Sequence, residues 1–183
     1  ERPTRDRARW IAQARLSTEG SHKPLLKMLK DEQTPDFWKA VSARLLDSWW
    51  FERDVIPSMI GASTSPNALL RSQVVMALGP AVRAGNTDAA QALVDRLEDP
   101  VRSVRVNAAW SLRSHVDPAS VTGQELQHFL NLHLDQPSGQ MQKGAWHLGQ
   151  QDETSALKHY RKAVEWDPNS APLRHELAVV FSM

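Results

Sequence analysis

The chain contains no cysteine. Disulfides, thiolate metal centres, a cysteine nucleophile and covalent haem attachment through C-x-x-C-H are therefore excluded within it. No apolar run approaches the roughly 20 residues that a membrane-spanning helix needs. Strand signals are nearly lacking, because apolar residues recur at three and four rather than at two. An excess of charge of one sign is also missing: 22 Lys and Arg stand against 21 Asp and Glu, net +1. Bulk charge thus gives no reason to seek nucleic acid or membrane. The basic residues near the start, Arg2, Arg5, Arg7, Arg9 and Arg15, read as a solvated helix face. There is no G-x-S-x-G, no P-loop and no Gly-rich phosphate cradle. His175-Glu176 opens like H-E-x-x-H, but Val179 occupies the second His position. His147 and His159 could meet across a helix hairpin, without further ligands in evidence. No catalytic, cofactor-binding or metal residue is assigned, and no cofactor is expected. The start at Glu1 and the end at Met183, inside a periodic pattern, read as a piece of a longer protein.

Punctuation and repetition are what the chain does have. Thr34-Pro35, Ser65-Pro66, Asp99-Pro100 and Asp117-Pro118 each set a capping side chain before a Pro. Such pairs predict helix starts, with Pro at the first helical position. Thr122 with Glu125 reads as a capping box, and Gly61, Gly79 and Gly85 as helix stops. The run from Asp99 to Leu112 aligns without a gap on the run from Ser65 to Leu78 at an offset of 34. Val104 falls on Leu70, Arg105 on Arg71, Ala108 and Ala109 on Val74 and Val75, and Leu112 on Leu78. An earlier copy places Trp38, Lys39, Ser42, Ala43 and Leu46 on the same positions. Each copy follows a short apolar segment: Pro24 to Leu29, Val55 to Ile60, Ala89 to Leu97. One amphipathic helix cannot bury its stripe alone, whereas stacked pairs bury a continuous core. The expected fold is all-α, a right-handed solenoid of antiparallel helix pairs.

The run from Asp99-Pro100 to Leu112 resembles the second helix of a HEAT repeat. The resemblance covers about residues 20–116 and implies an Asp–Arg ladder between repeats. Asp99, Arg105 and Arg71 fit that ladder, while Ser65, Thr34 and Lys39 depart from it. A second resemblance, to TPR repeats, rests on Asp152, Ala156, Tyr160, Ala163 and Pro168, with Gly144 on the preceding helix. Gln140 and Lys143 depart from that pattern. The expected organisation is HEAT-like repeats over 1–117, then a bridging helix and TPR-like repeats over 118–183. HEAT-like pairs running into TPRs are also similar to the C-terminal part of some bacterial multihaem c-type cytochrome proteins. That similarity implies a cell-envelope or periplasmic location, with the cytoplasm as the alternative.

The resemblance makes this segment a non-catalytic scaffold for a protein or peptide partner. In the HEAT family the second helices line a concave face. Arg44, Gln73, Met76, Asn107, Trp110 and Arg113 occupy equivalent positions there and form the candidate partner patch. Met141, Ala145, His175 and Val179 are the candidates for a TPR groove. Trp38 and Trp166 read as fillers of gaps between helices. The alternative function is a HEAT-like DNA-binding protein or alkylated-base glycosylase, for which Asp47, Trp49, Trp50 and Arg44 supply material. A flipped base needs aromatic stacking and a carboxylate near the sugar. The near-neutral charge makes nucleic acid the disfavoured partner.

Overall fold

The computed structural model describes the backbone of residues 2–182 and the side chains of residues 4–182, so the Arg2 side chain lies outside the described set. Among the described residues all regular structure is helical. The chain divides into two compact units, Glu1–Leu112 and Arg113–Met183.

The first unit contains α1 (Arg2–Arg15), α2 (His22–Lys30), α3 (Asp36–Leu45), α4 (Val55–Ala62), α5 (Ala68–Ala77), α6 (Gly79–Arg83), α7 (Thr87–Val94) and α8 (Arg102–Ser111). A 3-10 turn, Leu46–Trp49, extends α3. The three apolar segments of the repeat become α2, α4 and α7, and the three aligned runs become α3, α5 and α8. Helices α3, α5 and α8 pack side by side as one layer. Helix α2 packs on α3 and α4, α4 on α5 and α7, and α7 on α8, which makes the second layer. The unit is thus a stack of antiparallel helix pairs, an α-solenoid.

A helix in the middle of such a layer has neighbours on both flanks and below. Its buried arc must therefore be wider than a single stripe. On α5 the buried residues are Leu70, Arg71, Ser72, Val74, Val75 and Ala77, leaving Leu69, Gln73 and Met76 along the outer strip. The paired positions Val74-Val75 and Ala108-Ala109 are fully buried because one member faces each flank. Every predicted core residue (Leu70, Val74, Leu78, Val104, Ala108 and Leu112) is buried. Each fully buried Val or Leu contributes about 1.5–3 kcal/mol.

The helices start within two residues of Pro35, Pro66 and Pro100, as expected, but the Pro is not the first helical residue. Pro35 is itself the N-cap of α3, Asn67 caps α5, and Val101 precedes α8. The residue before a Pro avoids helical backbone, so the Asp-Pro and Ser-Pro pairs build the turn ahead of the helix instead. Asp99 Oδ1 accepts from the Val101 N–H at 2.9 Å, and Asp117 Oδ1 from Ala119 at 2.8 Å. Ser65 Oγ accepts from Asn67 at 3.2 Å. The actual caps lie further on: Asn67 accepts from Leu70 N–H, and Ser120, not Thr122, accepts from Gly123. Gly61 lies within α4 and Gly79 opens α6. Of these three glycines only Gly85 ends a helix in left-handed backbone, at φ 86, as Ser17 and Gln151 do at φ 51 and 61. There the Gly85 and Asn86 N–H groups bond back to Val82 and Ala81, the paired closure of a Schellman motif.

One charged rung crosses the stack. Arg71 on α5 donates to both carboxylate oxygens of Asp99 at 2.7 and 2.9 Å. The same guanidinium also donates to the Ser65 and Pro66 carbonyls. Arg105, one repeat on, makes the equivalent bonds to the carbonyls of Asp99 and Pro100. Where Lys39 and Ser65 replace the ladder residues, Asn67 Nδ2 instead donates to Asp36 at 2.9 Å, tying α5 to α3.

The second unit contains α9 (Val121–Asn131), α10 (Pro137–Gly149), α11 (Glu153–Trp166) and α12 (Ala171–Phe181). Helices α10 and α11 form a tight antiparallel hairpin, with α9 against α10 and α12 against α11. Asp152 caps α11 by accepting from Ser155 N–H at 3.0 Å. Tyr160 is fully buried over Gly144, where an added Cβ would come within 3.0 Å of the ring. Burial pushes the Tyr160 hydroxyl up to about 12. Gln140 and Lys143 occupy buried positions in the same interface.

Candidate partner-binding groove

Across the α3–α5–α8 layer the strips that escape burial line up in rows. Phe37, Leu69 and Ser103 share one row, Val41, Gln73 and Asn107 the next, and Arg44, Met76 and Trp110 the third. Between α3 and α5 these rows enclose a groove of about 300 Å³. Its floor is Ala40, Val41 and Leu45, and its walls are Phe37 and Leu69. Arg15, Arg44 and Gln73 form the rim. Phe37 is 57% exposed and Leu69 46%, so both keep a large part of their apolar surface in water. Larger depressions of about 570 and 520 Å³ in the second unit are lined by amides and charged side chains such as Gln150, Glu153, Lys158 and Arg161.

Of the predicted patch, Arg44 and Gln73 line this groove. Arg44 is exposed on the rim and ion-pairs with Asp47. Gln73 is half-buried on the rim, and Met76 lies half-buried one turn further along α5. Asn107 is half-buried and donates to Ser72 Oγ at 2.7 Å, so it ties α8 to α5. Trp110 is half-buried near the end of α8. Arg113 is half-buried and belongs to the second unit, where its carbonyl accepts from Gln150 at 2.7 Å. Sequence reasoning missed Phe37, Val41, Leu45, Leu69 and Arg15. The available signal was Leu69, an apolar residue one step off the Leu70–Val74–Leu78 stripe, with Phe37 at its equivalent position 32 residues earlier.

In the second unit Met141 and Ala145 are half-buried on α10, while His175 and Val179 are exposed on α12. The His147 and His159 rings do meet, stacked at 5.3 Å with 13° between planes. His147 Nδ1 donates to Asp152 Oδ2 at 3.2 Å, and His159 Nδ1 donates to Gln140 Oε1 at 2.7 Å. Gln140 is oriented for this because its amide donates to the Leu134 carbonyl at 2.6 Å. Burial, with help from the neighbouring cations, lowers both imidazoles, His159 to about 4. Burial likewise lowers the Lys143 ammonium. Among the described residues no group of three His, Asp or Glu is placed to hold a metal ion.

The residues named for base excision are differently employed. Trp49 is buried in the core and offers no face to a base. Trp50 is half-buried, edge-on to Phe51. Asp47 is engaged by Arg44 and Ser48. Of the two expected gap-fillers, Trp38 is half-buried beneath Arg7 at 4.7 Å. Trp166 is exposed and carries Lys162 over its ring, so it fills no gap.

Stacked antiparallel pairs with a buried Arg–Asp rung define a helical repeat protein. Residues 22–113 match the HEAT repeats family, and the chain belongs to it. No curated protein and no solved structure matched in comparison with the chain. HEAT repeats form scaffolds that commonly mediate protein interaction, and the fold is typically non-enzymatic. No described helix is long and apolar enough to cross a membrane.

Proposed function

We propose that this chain is a non-catalytic scaffold that binds a protein or peptide partner in the groove between α3 and α5. The carrying observation is the pair Phe37 and Leu69, which leave large apolar surface in water on a layer whose other large apolar residues are buried or half-buried. Covering the remaining exposed surface of each would contribute about 1 kcal/mol, and a few well-packed anchors dominate binding at interfaces. The reading needs no cofactor. A TPR-like second unit is supported by Asp152 at the start of α11, by Ala156 and Ala163 in its buried face, and by Tyr160 over Gly144. HEAT-like pairs followed by such a unit agree with a partner-docking segment of a larger cell-envelope protein, on the similarity to multihaem cytochrome proteins.

The test is photo-crosslinking in cells, with the reactive residue at position 69 or, as control, at exposed Gln91 on α7. Discrete protein adducts at 69 and none at 91 are expected. Equal labelling at both positions contradicts the reading, and nucleic-acid adducts at 69 would favour a DNA-binding role instead.

A further inference from the structure

We propose that the α3–α5 groove selects an acidic peptide segment carrying large apolar anchors. This rests on the groove being the partner site. The floor and walls are apolar, so the bound segment must bring apolar side chains of its own. The charge around the rim sets the rest. Arg15 is exposed at the end of α1 and lines the groove. Helix α1 packs on α3 and carries Arg5, Arg7, Arg9 and Arg15 against the single acid Asp6. Arg7 sits over Trp38, next to Phe37 on α3.

Of the nearby acids Asp6 and Asp47 are ion-paired, while Asp36 has a neutral amide as its partner and keeps its charge. Asp6 pairs with Arg9, Asp36 accepts from Asn67, and Asp47 is held by Arg44 and Ser48. With Arg44 already paired to Asp47, a basic segment would be repelled by Arg15 and by the excess cations of α1. An acidic one would gain charge-assisted bonds at Arg15 while its anchors cover Phe37 and Leu69. A ten-residue helix such as α3 is about 15 Å long, enough for two anchors spaced one helical turn apart on a docked helix. A nucleic acid fits less well, since phosphates need a row of cations rather than an apolar floor.

The experiment is fluorescence anisotropy on the full chain with synthetic peptides of roughly 15 residues. One peptide carries Glu on its polar face and Phe and Leu one turn apart. A second has every Glu replaced by Lys. A third keeps Glu but has Ser at both anchors. A fluorescent DNA duplex is the fourth probe. The first peptide should bind at least on the order of tenfold tighter than the other three, and weaken with added salt. Leu69→Ser should cost it about tenfold and Arg15→Glu several-fold. Both side chains are exposed, so their thermal melts should match that of the unsubstituted chain and separate lost binding from lost fold. Equal or better binding of the basic or anchorless peptide overturns the proposal, as does tighter binding of the duplex. So does insensitivity to both substitutions. If position 69 crosslinks a protein in cells while the acidic peptide fails, the scaffold stands and the acidic class falls.

Discussion

The interface between α5 and α8 is filled by Val74, Val75, Ala108 and Ala109, and the charge pair of Arg71 with Asp99 is closed by two hydrogen bonds. The interface between α10 and α11 instead holds Gln140, Lys143 and two stacked imidazoles beside Tyr160. Both arrangements seal a pair of helices, and both weaken in acid, but in different pH ranges. Hydrogen bonds from Arg71 hold the Asp99 carboxyl below its usual range. That stability is present above the unfolded value of about 3.9 and is lost only as pH falls through the lower folded one. His147 and His159 are lowered by burial. The unfolded chain therefore binds protons first, from about pH 6.5 downward, and the second unit loses stability as pH falls toward 4. A buried polar group is harmless only while its protonation state matches its partners.

The comparison can be broken most forcefully at Ala108. Ala108→Arg forces a charge between α8 and its neighbours without a partner and should cost at least about 4 kcal/mol. Chemical denaturation should show the first unit melting early. An unchanged transition would refute the repeat register. Asp99→Ala should come next, at about 3 kcal/mol, because the Arg71 guanidinium would be left buried with only the Ser65 and Pro66 carbonyls. Arg71→Met combined with Asp99→Leu should recover much of that loss, measured by the same denaturation. In the second unit Gly144→Leu should cost about 2 kcal/mol, since its side chain must displace Tyr160. Its thermal melt should shift while exchange protection of α5 and α8 stays as it was.

How much of this could be read from residues alone differs between the units. The register of α5 and α8 was legible because the aligned apolar positions repeat their burial and Arg71 and Arg105 repeat their hydrogen bonds to the two carbonyls preceding the helix. Helix starts were displaced because Asp99 and Asp117 cap the turn two residues on, a bond that sequence spacing does not separate from a helix cap. The groove was only half legible. Arg44 and Gln73 fall on it, but Phe37 and Leu69 look like ordinary apolar noise until neighbouring helices show which flank is open. In the second unit the meeting of His147 with His159 followed from the hairpin. The Gln140 bond that fixes the His159 proton did not, because Gln140 reads as a mismatch in a repeat rather than as a partner.

The most direct test of the claim that acid loosens the second unit well before the first is pulse-labelling hydrogen exchange on the full chain. The chain is held at values from about pH 7 to about pH 4.5 and corrected for intrinsic exchange. Protection of α10 and α11 should fall across this range while that of α5 and α8 holds, and His159→Phe should flatten the fall in the second unit. Protection lost in α5 and α8 first, or in both units in parallel with and without His159→Phe, would contradict the account.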